Sequence, residues 1–572
     1  MKFFLKHSLS CLLALHLVAI SFLRAESDEV ITLNKEDIAS YHVTTIQELL
    51  NRMPGITASD SYVKMRGSSA VKVLVDGKPI NNPLSSHSAI KWGLVPFASI
   101  DQIEIYKGAG AAMFGEGTDG GAIVITRKQG GSSSTDLLLK GGNWGTASVE
   151  LNNQTSFANQ NLIVSYEDFR SDGYRENGDK HRYSFSFSDN LNTERFGQFT
   201  LSGGYSWEER GSPGYPEYLR LQAREASEAS TASVYYTTGD SLKSNLYYRA
   251  FWSKSSDPDR NLLSEIESRS IGNQSDFHLP LPGGKHLPVG LSFESVNYEG
   301  TQLEDKTEQE AAVYSSWMTR ISDFPLYLSL SARFNWYSEF DSVLDPTARL
   351  STRKGKWRLF AAFGTGHKAP SILKRHQSTS TRIPNLDLEM ELTEKWELGT
   401  SYAFSDQLNL STSFYYKTTT DRITYTRLDD GMGQYLNIGE ANWLGVESTL
   451  SGKLSERFRY SFTHSWMDAR DETNDLVLTA SPKHRFQGEL EINPLENWKV
   501  FVTGDYRARQ FSRSDNTESV SPYMTVDLRV EYRWRTTLYF LRIENLLDRD
   551  YLYGDGLPGA PTEWHLGLKF TF

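Results

Sequence analysis

The sequence predicts an all-β transmembrane barrel of about 22 antiparallel strands, with a small N-terminal α/β plug domain inside the lumen. Three observations carry that expectation. The chain ends on Trp564-His565-Leu566-Gly567-Leu568-Lys569-Phe570-Thr571-Phe572, an unbroken apolar–polar alternation. Alternation marks a strand with one greasy and one polar face, and only a closed barrel in lipid lets such a strand end a chain without leaving a free edge. Next, short turns alternate with long polar connections through most of the sequence. Last, the first 130 or so residues have a different pattern from the rest.

The N-terminus reads as an export signal over residues 1–25. Lys2 and Lys6 precede an apolar run from Leu9 to Leu23 that ends in the small residue Ala25, and this run is too short for a confident spanning helix. Cys11 is the single cysteine of the chain. A chain cleaved near Ala25 has no thiol, which excludes disulfides, zinc–thiolate sites and cysteine nucleophiles.

Residues 26–130 form the predicted plug. A short helical pattern from Asn34 to Leu50 buries Ile38, Ile46, Leu49 and Leu50 and stops at Met53-Pro54-Gly55, a natural breaker. Strand-turn units follow at Val63–Gly67 and Val71–Val75, then an alternating strand over Ile100–Tyr106, a glycine-rich stretch from Gly108 to Gly121 and a strand over Ala122–Thr126. The glycine-rich stretch lacks a Gly-Lys-Ser/Thr ending and opens no helix, so it is read as tight turns rather than a phosphate loop. Gly130-Gly131-Ser132-Ser133-Ser134 reads as a linker.

Residues 131–572 form the predicted barrel. Tyr183, Phe185 and Phe187 alternate with serines, and Met524 to Tyr532 alternate with Thr525, Asp527, Arg529, Glu531 and Arg533. A face of Asp, Arg, Glu and Arg is costly in lipid and must look into a polar lumen. Short connections, such as Ala158-Asn159, Lys354-Gly355 and Arg535-Thr536, are read as periplasmic turns. Longer ones, such as Glu208–Ala232, Gly366–Leu392 and Asn545–Pro561, are read as outer loops. Counting the short turns gives about 22 strands, a barrel wide enough to need a plug. The mean hydropathy of −0.48 combined with 12% aromatics suits such strands, whose lumenal faces are polar. A net charge of −11 argues against a nucleic-acid surface.

A series of motifs resembles the TonB-dependent outer-membrane receptors. Leu49-Leu50-Asn51-Arg52-Met53-Pro54-Gly55-Ile56, Met65-Arg66-Gly67, Val73-Leu74-Val75-Asp76-Gly77, Ile100 to Gly108 and Phe114-Gly115 through Ile123 fall in the order of that family's plug. Asn385-Leu386-Asp387-Leu388, Trp396-Glu397-Leu398-Gly399, Gly445-Val446-Glu447 and Asn545-Leu546-Leu547-Asp548 through Tyr551 resemble its barrel motifs. Lys107-Gly108-Ala109 and Phe114 depart from the usual pattern. The resemblance implies an outer-membrane receptor that takes up a scarce, bulky nutrient, a ferric siderophore or a cobalamin-like vitamin. Energy would come from a TonB-type protein of the inner membrane, and the barrel would be a monomer surrounded by outer-membrane lipid. The stretch Asp28-Glu29-Val30-Ile31-Thr32 is the candidate for coupling to that protein, although Val30–Thr32 also resembles the first plug strand. A non-transporting surface receptor or adhesin, or a passive channel, is the alternative on the same fold.

Candidate site residues follow. Arg66 and Lys107 in the plug, with Glu397 and Glu447 on the wall, are expected to tie the two together, because desolvated charges need partners; ordinary solvated charges are the competing reading. Asn81, Asn82, Ser85, Ser86, His87 and Trp92 of the plug, with Trp207, Tyr215 and Tyr218 of the barrel, are the ligand candidates, a mix of aromatics and hydrogen-bonders that suits a large, partly apolar chelate. The tryptophans and tyrosines could equally be interface aromatics. Asp168, Asp172, Glu176 and Asp179 could hold a Ca²⁺, though a solvated loop is favoured. No catalytic constellation, bound cofactor or histidine metal site is expected.

Overall fold

The computed structural model describes residues 30–572 apart from 86–88, 240, 283–284, 322–323, 380–381, 406 and 428–431. The expected leader, Asp28, Glu29, Ser86 and His87 lie outside the described residues.

The plug is built on a five-stranded sheet. Its strands are β1 (Val30–Asn34), β4 (Val71–Val75), β5 (Lys78–Pro79), β6 (Ile100–Lys107) and β7 (Gly121–Arg127), in the order β1-β6-β7-β4-β5 with β4 and β7 parallel. A separate hairpin pairs β2 (Ile56–Ala58) with β3 (Val63–Met65). The alternating isoleucines of β6 and β7 (Ile103, Ile105, Ile123 and Ile125) are buried in the core with Leu49, Ile56, Met65 and Val73.

The helical pattern from Asn34 to Leu50 is two helices rather than one. Asn34 caps the first, Lys35–Ser40. Its side chain accepts from the Asp37 amide (2.9 Å) and the Asp37 carboxylate accepts from the Asn34 amide (3.1 Å), a reciprocal capping box. The chain then leaves helical geometry at His42, whose φ is +51°. Thr45 caps a second helix, Ile46–Asn51, which buries Ile46, Leu49 and Leu50. Threonine competes for its own backbone and favours such caps over helix interiors, so apolar spacing alone ran the two helices together. The glycine-rich stretch is a 3₁₀ turn, Gly108–Phe114, followed by Gly115 at φ +88°.

Around the plug, 22 strands form a closed antiparallel barrel from Ser134–Gly142 to Glu563–Thr571. The last strand pairs with the first, from His565 opposite Gly142 to Thr571 opposite Asp136. Along it Leu566 is 56% exposed while Gly567 is buried, so the terminal alternation separates a lipid face from a lumen face. Tyr183 and Phe185 likewise point outward, and Ser184, Ser186 and Ser188 are buried against the plug side. Among the described residues no helix is long and apolar enough to cross a membrane; the crossing is made by strands.

The wall is uneven in height. Leu408–Arg427 and Gly433–Ser455 run for 20 and 23 residues, whereas Thr537–Glu544 and Glu563–Thr571 beside the seam run for 8 and 9.

Candidate functional site

The plug meets the wall at a buried ionic cluster. Arg66 sits at φ +48° in the tight turn between β3 and β4, followed by Gly67 at +81°, and its amide donates to the Gly55 carbonyl at 2.9 Å. This geometry aims the guanidinium at the barrel. Nη2 lies 2.6 Å from Glu397 Oε1 and 3.2 Å from Glu447 Oε2, and the group stacks 4.2 Å from the Tyr415 ring centroid. Lys107, at the end of β6, places Nζ 2.7 Å from Glu447 Oε2 and 3.2 Å from the Pro54 carbonyl. Ser413 donates to Glu397 at 2.6 Å. Two cations therefore face two carboxylates out of water, with added hydrogen bonds that offset desolvation. Gly55 is required here: a Cβ at that position would lie 1.8 Å from Glu447 Oε1.

Further pairs ring the plug. Lys417 reaches Asp119 at 3.1 Å and lies 3.6 Å from the Trp443 ring centroid, while Lys395 donates to the Thr118 carbonyl at 2.6 Å. Burial resists ionisation of Asp119, but Lys417 and Lys395 outweigh it and hold the carboxyl at about 2. Glu48, on the second helix, pairs with Arg542. Burial opposes its charge, yet Arg542 and Arg529 lower it to about 2. At the outer end Asp60 pairs with Lys180 at 2.8 Å, whose charge holds it well below the usual carboxylate range. His42 bridges Glu531 (2.7 Å) and Lys499 (3.1 Å). Arg529 and Glu531, on the charged strand face read from the sequence, point into the lumen and pair with each other at 2.8 Å.

These ties bound a cavity of about 1240 Å³ between the plug and the wall, and its lining includes Tyr62, Lys64, Arg66, Arg485, Tyr553 and Asp555. A second, outward-facing cavity of about 180 Å³ is lined by Asn81, Asn82, Ser85, Glu116, Glu310 and Tyr298. Burial, and then Glu310, raise the Glu116 carboxyl above its ordinary value.

The other sequence candidates divide. Asn81, Asn82 and Ser85 line the smaller cavity together. Trp92 is not available to a ligand: it is 5% exposed, and its indole donates to the Ser59 carbonyl at 3.1 Å, because the segment folds back as a 3₁₀ turn against the wall. Trp207 shares the outward parity of Leu201 and stacks on Tyr183 at 5.2 Å, so it belongs to the lipid-facing belt. Tyr215 and Tyr218 lie on a small outer hairpin, with Tyr218 71% exposed. Val30, Ile31 and Thr32 are paired as an edge strand with Tyr106, Ile105 and Glu104.

The proposed Ca²⁺ group does not converge. Asp179 is taken by Arg224 at 2.6 Å, and Asp168 by Arg170 at 3.2 Å, so each of these carboxylates is already occupied by a cation of its own. Among the described residues the group whose donor atoms do converge is Glu544, Glu563 and His565. Sequence reasoning missed it because the first two are partners across adjacent strands. It also missed Glu48, Asp119, Lys417, Arg485 and Arg542; lumenal parity on their strands was the signal available for the barrel members.

Comparison with known proteins agrees with this architecture. The model of the TonB-dependent receptor plug domain matches residues 23–122, and that of the TonB-dependent receptor-like β-barrel matches residues 117–546. The vitamin B12 transporter BtuB of Photobacterium profundum is 24% identical over 91% of this chain and 88% of its own. The ferric enterobactin receptor PfeA of Pseudomonas aeruginosa superposes with a TM-score of 0.78 at 16% identity, over 96% of this chain and 100% of that one. The siderophore receptor PirA of Acinetobacter baumannii gives 0.80 at 16% identity, over 96% and 98%. With plug, closed barrel and the family's own plug and barrel patterns all in place, the chain belongs to the TonB-dependent receptors of the outer membrane.

Proposed function

We propose that this protein binds a scarce, bulky nutrient at the cell surface, a ferric siderophore or a cobalamin-like vitamin, and imports it to the periplasm with energy from a TonB-type complex. The observation that carries the reading is the plug itself. It occupies the lumen and is fastened by buried charges on several sides, so nothing large passes until it moves, and moving it takes work. Conformational gating of this kind is a familiar way to set the rate of passage. The cavity mouth supports the ligand class. Tyr62, Tyr551 and Tyr553 offer flat faces, with Lys64, Arg507 and Asp555 among them, the mixture expected for a large and partly apolar chelate.

The coupling segment is Asp28–Thr32. Its last three residues belong to an edge strand of the plug sheet, which can be drawn away by breaking a single ladder of hydrogen bonds.

Uptake of labelled cobalamin by cells expressing the protein, with and without a protonophore, tests the reading. Protonophore-sensitive accumulation supports energised transport of a vitamin, and the same result with a labelled ferric siderophore supports the other ligand. Binding of either one that is indifferent to the protonophore and never followed by accumulation overturns the transport reading in favour of a surface receptor.

A further inference from the structure

The lipid-facing surface of the barrel is not smooth. Where Val343–Lys354, Trp357–Lys368 and Glu391–Ser405 run side by side, Ala348 and Ala361 stand on the outward face among larger neighbours. Leu350 and Leu398 flank Ala361 in register, and Phe363 lies between Ala348 and Trp396. The result is an open, almost wholly apolar groove of about 500 Å³ on the outside of the wall. On the inward face of the same strand, Phe360 and Ala362 pack with Ala109 of the plug.

Below the groove these strands end in a rim of a different kind. Lys354 and Trp357 are direct partners at the short turn, Trp357 pairs in turn with Tyr402, and this row lies two rows beneath that of Leu350, Ala361 and Leu398. Trp357 packs on Tyr402 at 4.5 Å and Tyr402 on Phe404 at 4.7 Å between ring centroids. Such a girdle marks the boundary between membrane and water. The turn reads Arg353-Lys354-Gly355-Lys356-Trp357-Arg358, and together with Arg320, Asp323 and Asp406 of the flanking turns it sets five cations against two carboxylates. Lys354 Nζ lies 5.1 Å from the Phe324 ring centroid, and Lys356 donates to the Phe404 carbonyl at 2.7 Å, so both ammonium groups are held beside the aromatic girdle. Among the described residues no carboxylate pairs with Arg353, Lys354 or Lys356.

The spacing between rim and groove suits a lipid. Ala361 is four residues above Trp357, about 13 Å along a strand and about 10 Å in depth at the tilt of a membrane barrel. One leaflet's share of the hydrocarbon core is about 15 Å, so the groove lies at the depth of acyl chains whose headgroups are level with the turn. The turn is on the side where Ser134–Gly142 starts and Glu563–Thr571 ends, the periplasmic side, where the leaflet is phospholipid.

We propose that this face of the barrel binds an anionic phospholipid of the inner leaflet, with its phosphate on Lys354 and Lys356 and one acyl chain in the groove over Ala348 and Ala361. Each ammonium group has donors to spare for a phosphate oxygen, and the excess of cations at the turn favours a headgroup of net negative charge. A chain in the groove supplies the contacts that the two alanines leave unmade. The occupant is a lipid and not a soluble anion, because the cations are continuous with an aromatic girdle and an apolar groove. The lipid braces the outer face of a strand whose inner face holds the plug, whatever the nutrient is.

Native mass spectrometry of the full-length protein in a neutral detergent, titrated with phosphatidylglycerol or phosphatidylethanolamine of identical chains, tests the assignment. Phosphatidylglycerol should bind the more tightly, and Lys354→Glu combined with Lys356→Glu should weaken it on the order of tenfold. Ala361→Trp, which fills the groove and leaves every cation in place, should weaken it on the order of threefold. Arg533→Glu combined with Arg535→Glu makes the same charge change at another periplasmic turn and should leave binding unchanged. Resistance of the barrel to SDS checks that each variant is folded. Equal loss from the two double variants overturns the proposal, since binding is then a general charge effect. So does equal affinity for the two headgroups, or indifference to Ala361→Trp. Full competition by chain-free glycerol phosphate also overturns it and assigns the cations to a soluble anionic partner. None of these readouts uses a transported nutrient or an energy source, so their failure leaves the uptake reading standing, and the reverse holds.

Discussion

Along the strands between residues 197 and 368, the plug meets the wall largely through backbone and apolar contacts. Leu94 packs at Gly204, Ala109 against Phe360 and Ala362, and Asp76 accepts at its carbonyl from Asn245. Between residues 391 and 544 it meets the wall mainly through charged side chains that span or border open space. The contrast decides which attachment can be undone. Close packing loosens steeply, since a gap of about 0.5–1 Å already forfeits roughly a quarter to a half of the contact energy. An ion pair facing water can exchange its partner for solvent and re-form.

The most direct challenge to this contrast is to remove the means of pulling. Deleting residues 26–32 should reduce energised accumulation of the labelled ligand to background, on the order of a hundredfold loss, while surface binding persists; gating motions and binding are separable. Accumulation that survives the deletion would show that force does not enter through this strand.

The charged side should be the more costly to damage. Glu447→Ala leaves Lys107 without its carboxylate and Arg66 with Glu397 alone, and removing one member of a buried ionic group costs about 3–5 kcal/mol. Calorimetry should show this as an earlier plug transition with the barrel transition unmoved. On the packed side, Gly93→Ala forces a methyl toward Ser206, and overpacking of this kind costs about 1–3 kcal/mol. Gly117→Ala serves as its control, because no atom lies within 4 Å of the added carbon there, although its φ of +70° leaves some backbone strain.

Acid probes the charged side without mutation. The Glu48 carboxyl is lowered in the folded protein from its ordinary 4.5 to about 2, so its contribution is present above the unfolded value and is lost as pH falls toward the folded one. The plug transition should shift downward between about pH 5 and 2, and Glu48→Gln should flatten that dependence. The smallest effect is expected at Trp207→Ala. An outward belt residue away from the lumen should leave ligand binding unchanged and alter stability by about 0.5 kcal/mol or less.

Strand periodicity made the barrel legible almost in full. The alternation at the C-terminus and the spacing of short turns point to about 22 strands, and the barrel has 22, because each lumenal or lipid-facing position demands its own residue type. Arg66, Lys107, Glu397 and Glu447 stand out through family motifs, and the structure brings Arg66 to both carboxylates and Lys107 to Glu447. The ligand side was less legible. Trp92 and Trp207 are aromatics in suitable segments, yet one is folded under the plug surface and the other faces outward. One-residue parity and tertiary folding decide such cases, and motif position does not reveal either. Glu48 with Arg542 could not have been paired from sequence, since the two are brought together only by docking.

The seam between Glu563–Thr571 and Ser134–Gly142 bears on how the molecule is made. It is the strand pairing with the greatest separation along the chain, and it uses the final residues: the Phe572 amide donates to the Thr135 carbonyl and the Thr135 amide to the Phe572 carbonyl. The cylinder therefore stays an open sheet with two unpaired borders until the strand Glu563–Thr571 has been made and exported. Closure in lipid has to follow delivery of that strand, and deleting residues 566–572 removes the closing step along with the contacts those residues make.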